Sequence, residues 1–240
     1  MNVLITGGGC REPIDGVRCI TNTSTGMTAA LITDCFIHAG ASVKALFARQ
    51  SHLPECAQAG HSRLRLLRYG TGKELSALMQ TELTARPYDA VIHAAAVSDF
   101  IPSILTVNGV TRPTGTTTGK IPSGSQLTVT FEPAPKIAAS LRTWAAAGKH
   151  GGKTVIICFK LTDGADRTER LRTVTVLFAE SSADYIVSND LSGLKNGMHP
   201  FELFKKPESA ETEPKTVSTG KTTEELAGSL YTAVRQEDAV

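Results

Sequence analysis

Met1-Asn2-Val3-Leu4-Ile5-Thr6-Gly7-Gly8-Gly9 is a short apolar run that ends in three glycines. A polar stretch follows it, and helical spacing of apolar residues begins only near Ser24. A strand, a glycine-rich turn and a helix N-terminus in that order leave backbone N–H groups unpaired. With the helix dipole aimed the same way, the arrangement suits an anion such as phosphate. A glycine-rich turn without a ligand is the competing reading, and the rest of the chain decides between them.

Working outward, residues 28–39 carry Ala29, Ala30, Leu31, Ile32, Cys35 and Phe36 at helical spacing, with Gly40 as a left-handed cap. Strands are predicted at 42–47 and 63–68, separated by a loop over 50–60. A helix is predicted at 71–86, stopped by Pro87. Asp89-Ala90-Val91-Ile92-His93-Ala94-Ala95-Ala96 reads as a strand buried on both faces of a parallel sheet. Residues 102–125 lose all periodicity and are rich in Pro, Thr, Gly and Ser, which predicts a long functional or unstructured loop. Beyond it the pattern predicts strands at 126–132, 153–160 and 184–187 and helices at 136–147 and 166–179. A late hairpin at 199–205 and 214–218 leads to a closing helix at 222–234, with Thr222 and Glu225 at capping-box spacing.

This alternation implies an α/β fold: a Rossmann-like, three-layer single domain over 1–240, with a mostly parallel sheet, a mobile loop near 102–125 and a late β-hairpin. Ligands of such sheets bind beyond the carboxyl ends of the strands. There the sequence gathers Gly7, Gly8, Gly9, Ser98, Asp99, Phe159, Lys160, Asn189 and Asp190.

Composition narrows the function classes. A net charge of +2 over 240 residues argues for neither a nucleic-acid groove nor an acidic membrane surface. The five cysteines are scattered, with no CxxC pair, so neither a disulfide framework nor a zinc site is signalled. The longest apolar runs are of strand length and no targeting segment is visible, which predicts a cytoplasmic protein. His93, inside a buried strand without a ligand-spaced partner, reads as a core histidine.

Two enzyme readings fit the fold. Thr6-Gly7-Gly8-Gly9 and the alanine-rich strand suggest an NAD(P)-dependent, short-chain-type dehydrogenase. However, the glycine pattern is incomplete, with Glu12 at its third position, and no acidic residue closes the second strand, where Phe47-Ala48-Arg49 stands. A Tyr69-x-x-x-Lys73 match precedes the alanine-rich strand rather than following it.

Arg11-Glu12-Pro13-Ile14-Asp15-Gly16-Val17-Arg18, followed by Ile20-Thr21-Asn22-Thr23-Ser24-Thr25-Gly26, supports the second reading: it resembles phosphopantothenoylcysteine synthetase. Further blocks agree in order: Ala95-Ala96-Val97-Ser98-Asp99-Phe100, Gly119-Lys120-Ile121-Pro122-Ser123, Pro135-Lys136-Ile137, Phe159-Lys160-Leu161, and Ala183 through Leu191. The compact length is similar to that of the monofunctional form.

The resemblance implies a ligase of coenzyme A biosynthesis. It would join 4′-phosphopantothenate to L-cysteine through an acyl-nucleotidylate, using CTP or ATP and Mg²⁺, with release of pyrophosphate. It also implies a homodimer in which a neighbouring subunit completes the mobile loop. Asn22 then handles the acyl-nucleotidylate, and Lys120 arrives on the loop to neutralise phosphate charge. Arg11, Ser24, Thr25 and Gly26 fall on the substrate side. Gly7, Gly8, Gly9, Ala96, Asp99, Pro135, Lys136, Ile137, Ala138, Phe159 and Lys160 fall on the nucleotide side. Asn189 and Asp190 are open to Mg²⁺-linked or structural roles. The chain departs from the family pattern at Cys10, Met27, Pro122 and Ser123, and at Leu177 and Ser181, where some members place lysines near the triphosphate. Arg11, Arg18 and Lys160 are the candidates to replace them. A nucleotide- or phosphopantothenate-binding paralogue without ligase activity is the remaining alternative.

Overall fold

The computed structural model describes residues 1–148, 154–195, 198–209 and 212–237. In chain order the strands and helices are β1 (Asn2–Gly7), β2 (Arg11–Pro13), β3 (Cys19–Thr21), α1 (Met27–His38), β4 (Ser42–Ala48), α2 (Glu55–Gln58), β5 (Leu64–Tyr69), α3 (Gly72–Ala85), β6 (Ala90–His93), β7 (Phe100–Val107), β8 (Val110–Pro113), β9 (Leu127–Pro133), α4 (Ile137–Ala147), β10 (Val155–Thr162), α5 (Arg167–Ser181), β11 (Tyr185–Asp190), β12 (Phe201–Lys205), β13 (Lys215–Gly220) and α6 (Thr223–Glu237). Lys153, expected to open β10, lies outside the described residues.

Eight strands form the main sheet in the order β13-β12-β11-β10-β6-β1-β4-β5. Pairing is parallel from β11 to β5, and the late hairpin β12–β13 adds two antiparallel strands at one edge. Apolar side chains leave both faces, as expected for a parallel sheet covered on each side. One face buries Ile5, Ala45, Phe47 and Ile157 under α1 and α6, which contribute Ile32, Phe36, Leu226 and Leu230. The other buries Leu4, Leu46, Val91 and Ile156 under α3, α4 and α5, which contribute Leu75, Met79, Leu141 and Val174. The result is the expected three-layer, Rossmann-like architecture.

Local chemistry explains the helix ends. Thr71 caps α3 by accepting from the Glu74 N–H at 3.1 Å. Asp166 caps α5 by accepting from the Glu169 N–H at 2.8 Å. Thr222 and Glu225 close the capping box of α6, at 3.1 and 3.2 Å. Gly40 leaves α1 with φ 88°, a left-handed value that costs glycine nothing.

The run 102–125 is not structureless, which corrects the sequence expectation. Strands β7 and β8 cover most of its first half and pair with β9 in a separate antiparallel sheet of order β8-β7-β9. The β7–β8 turn is Asn108-Gly109, with φ 48° and 81°, a primed hairpin turn that the sequence announces and composition had masked. Strand β9 belongs to this sheet rather than to the main one. A second hairpin, β2–β3, grows out of the end of β1 within the stretch read only as polar.

Candidate active site

The first strand β1 pairs with β4 on one side and β6 on the other, and the chain reverses its direction of travel across the sheet between β1 and β6. Ligands of open α/β sheets collect at such a switch point, beyond the carboxyl ends. A cleft of about 860 Å³ lies there. Its walls are residues 21–29, the end of β6 with Ala94 through Asp99, the start of α4, the end of β10, one stripe of α5 and the segment after β11.

Two helices open onto this cleft by their N-termini. Helix α1 starts after Gly26 and α4 after Lys136; neither has a side-chain cap, and neither has an acidic residue in its first turn. Met27, Thr28 and Ala29 of one, and Ile137, Ala138 and Ala139 of the other, all line the cleft. First-turn N–H groups have no partner inside a helix, so each of these ends carries partial positive charge and spare donors. Among the described residues the Met27 N–H reaches only the Thr25 hydroxyl, at 3.4 Å.

Asn22 bridges two walls. It stands just beyond β3, and its Nδ2 donates to the Val97 carbonyl beyond β6 at 3.2 Å, while its side chain stays largely accessible. Across the cleft Lys136 Nζ donates to Asp99 Oδ1 at 2.5 Å, with both side chains exposed. Lys160 and Phe159 line the far end, and Lys160 has no carboxylate partner among the described residues. The carboxylates on the walls are Asp99 and Glu180. His93 lies on the floor, buried, with Nδ1 2.9 Å from the Thr6 hydroxyl; burial lowers its pKa from 6.5 to about 4, so it is neutral at pH 7.

Residues 1–234 match the DNA/pantothenate metabolism flavoprotein C-terminal domain. The chain belongs to that family. Two curated relatives are each 29% identical to it, the coenzyme A biosynthesis bifunctional proteins CoaBC of Thermococcus kodakarensis and Methanocaldococcus jannaschii. The matches cover 79% and 84% of this chain but only 41% and 43% of those proteins, so the chain spans less than half the length of the relatives it matches. The crystal structure of the DNA/pantothenate metabolism flavoprotein from Streptococcus pneumoniae superposes with a TM-score of 0.80 at 25% identity, covering 98% of this chain and 99% of that one. A histidine-to-alanine variant of Cab2, solved in complex with phosphopantothenate-cysteine, shares the fold with a TM-score of 0.69 at 20% identity, over 99% and 87% of the two chains.

Within this flavoprotein-domain family member the cleft brings together Asn22, Ser24, Thr25, Gly26, Ala96, Asp99, Pro135, Lys136, Ile137, Ala138, Phe159, Lys160 and Asn189 of the sequence-derived candidates. It does not bring in the opening glycines. A Cβ on Gly7 would stand 2.5 Å from that of Ala29, and one on Gly8 would stand 2.7 Å from those of Ala48 and Ser51. One on Gly9 would stand 2.5 Å from the Asn22 carbonyl oxygen. The Gly7 and Gly8 carbonyls accept from the Tyr69 hydroxyl at 2.9 and 3.1 Å, and the Ala96 N–H donates to Gly8 at 3.0 Å. The glycines act as spacers that let neighbouring segments close in, and none of them is a wall residue of the cleft. Tyr69, fully buried and committed to those carbonyls, is removed from any Tyr-x-x-x-Lys chemistry.

Four further candidates stand outside the walls. Arg11 turns its Nε to the Cys19 sulfur at 3.1 Å. Arg18 Nη1 donates to Asp15 Oδ2 at 2.8 Å and its Nη2 to the Ile121 carbonyl at 3.3 Å. Lys120, exposed, sits immediately before Ile121, whose side chain is buried with Leu105 and Val107. Hydrogen bonds from the backbone of Arg18, Val17 and Ile121 and from the Arg18 side chain outweigh burial and hold the buried Asp15 carboxyl below the usual range. Asp190 is not among the cleft's wall residues. The Ser192 and Thr162 hydroxyls and the Ala165, Ser192 and Gly164 N–H groups saturate its carboxylate and hold its pKa well below the ordinary range. Its role is to fold the turns after β10 and β11.

Leu177, marked by the sequence reading as a family lysine position, is on the wall. Thr173, Val176 and Glu180 escaped that reading; with Leu177 they form an i, i+3, i+4, i+7 stripe on α5, a periodicity that could have located them. His199 also lines the cleft; among the described residues its buried Nε2 has no partner, and burial lowers its pKa. Asn189 Nδ2 is spent on the Pro200 carbonyl at 2.7 Å, which sets the path of this wall.

Proposed function

We propose that the chain is a phosphopantothenate–cysteine ligase acting through an acyl-nucleotidylate. The observation that carries this reading is the pair of uncapped helix N-termini opening on one cleft, with Asn22 on its wall. The reaction must hold two anions together, a triphosphate and the acid that it activates, and two N-termini with spare N–H donors are suited to that task. In this reading the α4 end, Ala96, Asp99, Lys136, Phe159 and Lys160 receive the CTP or ATP. Ser24, Thr25 and the α1 end receive phosphopantothenate, and the Asn22 amide holds the acyl group between them. Cysteine then supplies the amine that opens the mixed anhydride, releasing the nucleoside monophosphate. The names of the curated relatives and the phosphopantothenate-cysteine in the Cab2 complex support the substrate class.

Magnesium enters this proposal with the triphosphate. Among the described residues no group of three or more His, Cys, Asp or Glu side chains could hold a metal, and Asp99 is engaged by Lys136. Mg²⁺ commonly binds through one or two carboxylates plus phosphate oxygens, so Asp99 and Glu180 are the wall groups available to it.

A homodimer through the small sheet belongs to the same reading. That sheet exposes Phe100, Ile104, Val110, Leu127 and Phe131, apolar side chains that solvent does not favour. A neighbouring subunit there could also present its Lys120. No described helix is long and apolar enough to cross a membrane.

A pyrophosphate-release assay tests the central claim. Release should require phosphopantothenate and one of the two triphosphates, and added cysteine should convert the intermediate to product. No release with either triphosphate overturns the proposal.

A further inference from the structure

At the opposite edge of the main sheet, where β1, β4 and β5 begin, a second groove of about 300 Å³ is lined by Asn2, Ser42, Lys44, Arg63, Arg65 and Arg86. We propose that it is a separate anion site for a small molecule bearing a pyrophosphate-like group.

The β4–β5 register sets Lys44 directly opposite Arg65. Both side chains leave the face covered by α3, because Leu46 and Leu67, two residues further along each strand, pack on that side. Arg63, in the turn that precedes β5, also lines the groove, with its guanidinium reaching toward Gly40. Arg86 is the C-cap residue of α3, the helix packed there. Like charges at facing positions of a sheet destabilise it. Four cations lining one groove favour an anion there.

The protein supplies only part of that offset. Glu82 Oε1 meets Lys44 Nζ at 2.9 Å, its Oε2 lies 3.7 Å from Arg86 Nε, and the same oxygen accepts from the Tyr88 hydroxyl at 2.7 Å. Asp89, the next carboxylate, is turned to the Asn2 N–H at 2.6 Å. Arg63 and Arg65 have no carboxylate partner among the described residues. Two guanidinium forks without carboxylates match the oxygens of phosphate groups. The volume is at the lower limit for small-molecule sites, about 300 Å³, which favours a compact diphosphate over a larger ligand. The six residues of β1 put this groove about 20 Å from the cleft, so its ligand cannot share the reacting atoms there.

The test is an amide-resolved NMR titration of the full chain with inorganic pyrophosphate at about 0.15 M salt. Shifts are expected at Val43, Lys44, Leu64 and Leu66, saturating independently of any shifts around Gly26 and Ile137. In Arg63→Gln/Arg65→Gln the edge response should weaken roughly tenfold or more, with the cleft response unchanged. Arg86→Gln serves if the double substitution disturbs β5. Absence of edge shifts, edge shifts unchanged in the variants, or a response lost at this salt, as for an adventitious ion only, overturns the proposal.

Discussion

Gly9 and the Asn22 carbonyl approach so closely that even a methyl group on Gly9 would sit 2.5 Å from that oxygen. The last glycine of the opening triplet therefore acts on the cleft through Asn22 rather than by touching a ligand. Gly9→Ala should push the Asn22 strand outward and lower turnover by roughly 100-fold, the cost of about 1 Å of misplacement at a reacting group. Circular dichroism should remain that of the folded protein. Wild-type pyrophosphate release in this variant would show that Asn22 tolerates displacement.

Asn22→Asp replaces a donor amide by a carboxylate at the point where two anions are expected to meet. Like charge there opposes the bound acid. A loss of at least about tenfold in acyl-nucleotidylate formation or use is expected, since one charge-assisted hydrogen bond is at stake. Rapid-quench measurement of the intermediate separates the two steps. Unchanged kinetics would leave Asn22 as the bridge to Val97 and nothing more.

Lys120→Gln should slow nucleotidylate chemistry without changing the melting temperature, because Lys120 is exposed and makes no ion pair among the described residues. A variant that turns over like wild type removes Lys120 from the mechanism.

Tyr69→Phe should unfold more easily by about 1–3 kcal/mol, since two buried carbonyls, those of Gly7 and Gly8, lose their shared donor. Urea denaturation measures this directly. No change in stability would mean that water replaces the hydroxyl.

His93 predicts a pH dependence. Its pKa is about 4 in the folded protein, against 6.5 when unfolded, so the unfolded state binds the proton more tightly. This contribution is fully present above pH 6.5 and is lost as pH falls through 4. The displacement corresponds to about 3 kcal/mol at most. Denaturation curves between pH 7 and 4 should show this loss, and His93→Gln should flatten it.

The main sheet was legible because its strands are near-continuous apolar runs, of which 90–93 is the clearest, and because its helices carry caps such as Thr71 and Thr222. The small sheet was legible only at β9, whose alternation predicts a strand at 126–132. Strands β7 and β8 mix Thr and Pro with half-exposed apolar residues, and burial on one side only, at Leu105 and Val107, left too weak an alternation. Asn108-Gly109 was the one sharp signal. For the candidate site, blocks near the strand ends placed Asn22, Asp99 and Lys136 on the cleft. Gly7, Gly8, Gly9 and Arg11 fall outside the cleft walls, and Asp190 takes the structural one of its two open roles, for one common reason: residue type reports what a group can bind, but not that Ala29, Cys19 or Ser192 has already claimed the space or the valence.

The anchoring of Ile121 sets the terms on which Lys120 can travel. With the next residue buttoned into Leu105 and Val107 and tied to Asp15 and Arg18, the lysine swings on a pivot rather than on a free tether. Any excursion longer than its own side chain must unfasten that button. Loop motion and the β2–β3 hairpin that leads to Asn22 are thereby geared together, and amide exchange at Ile121 becomes a gauge of how often the gear slips.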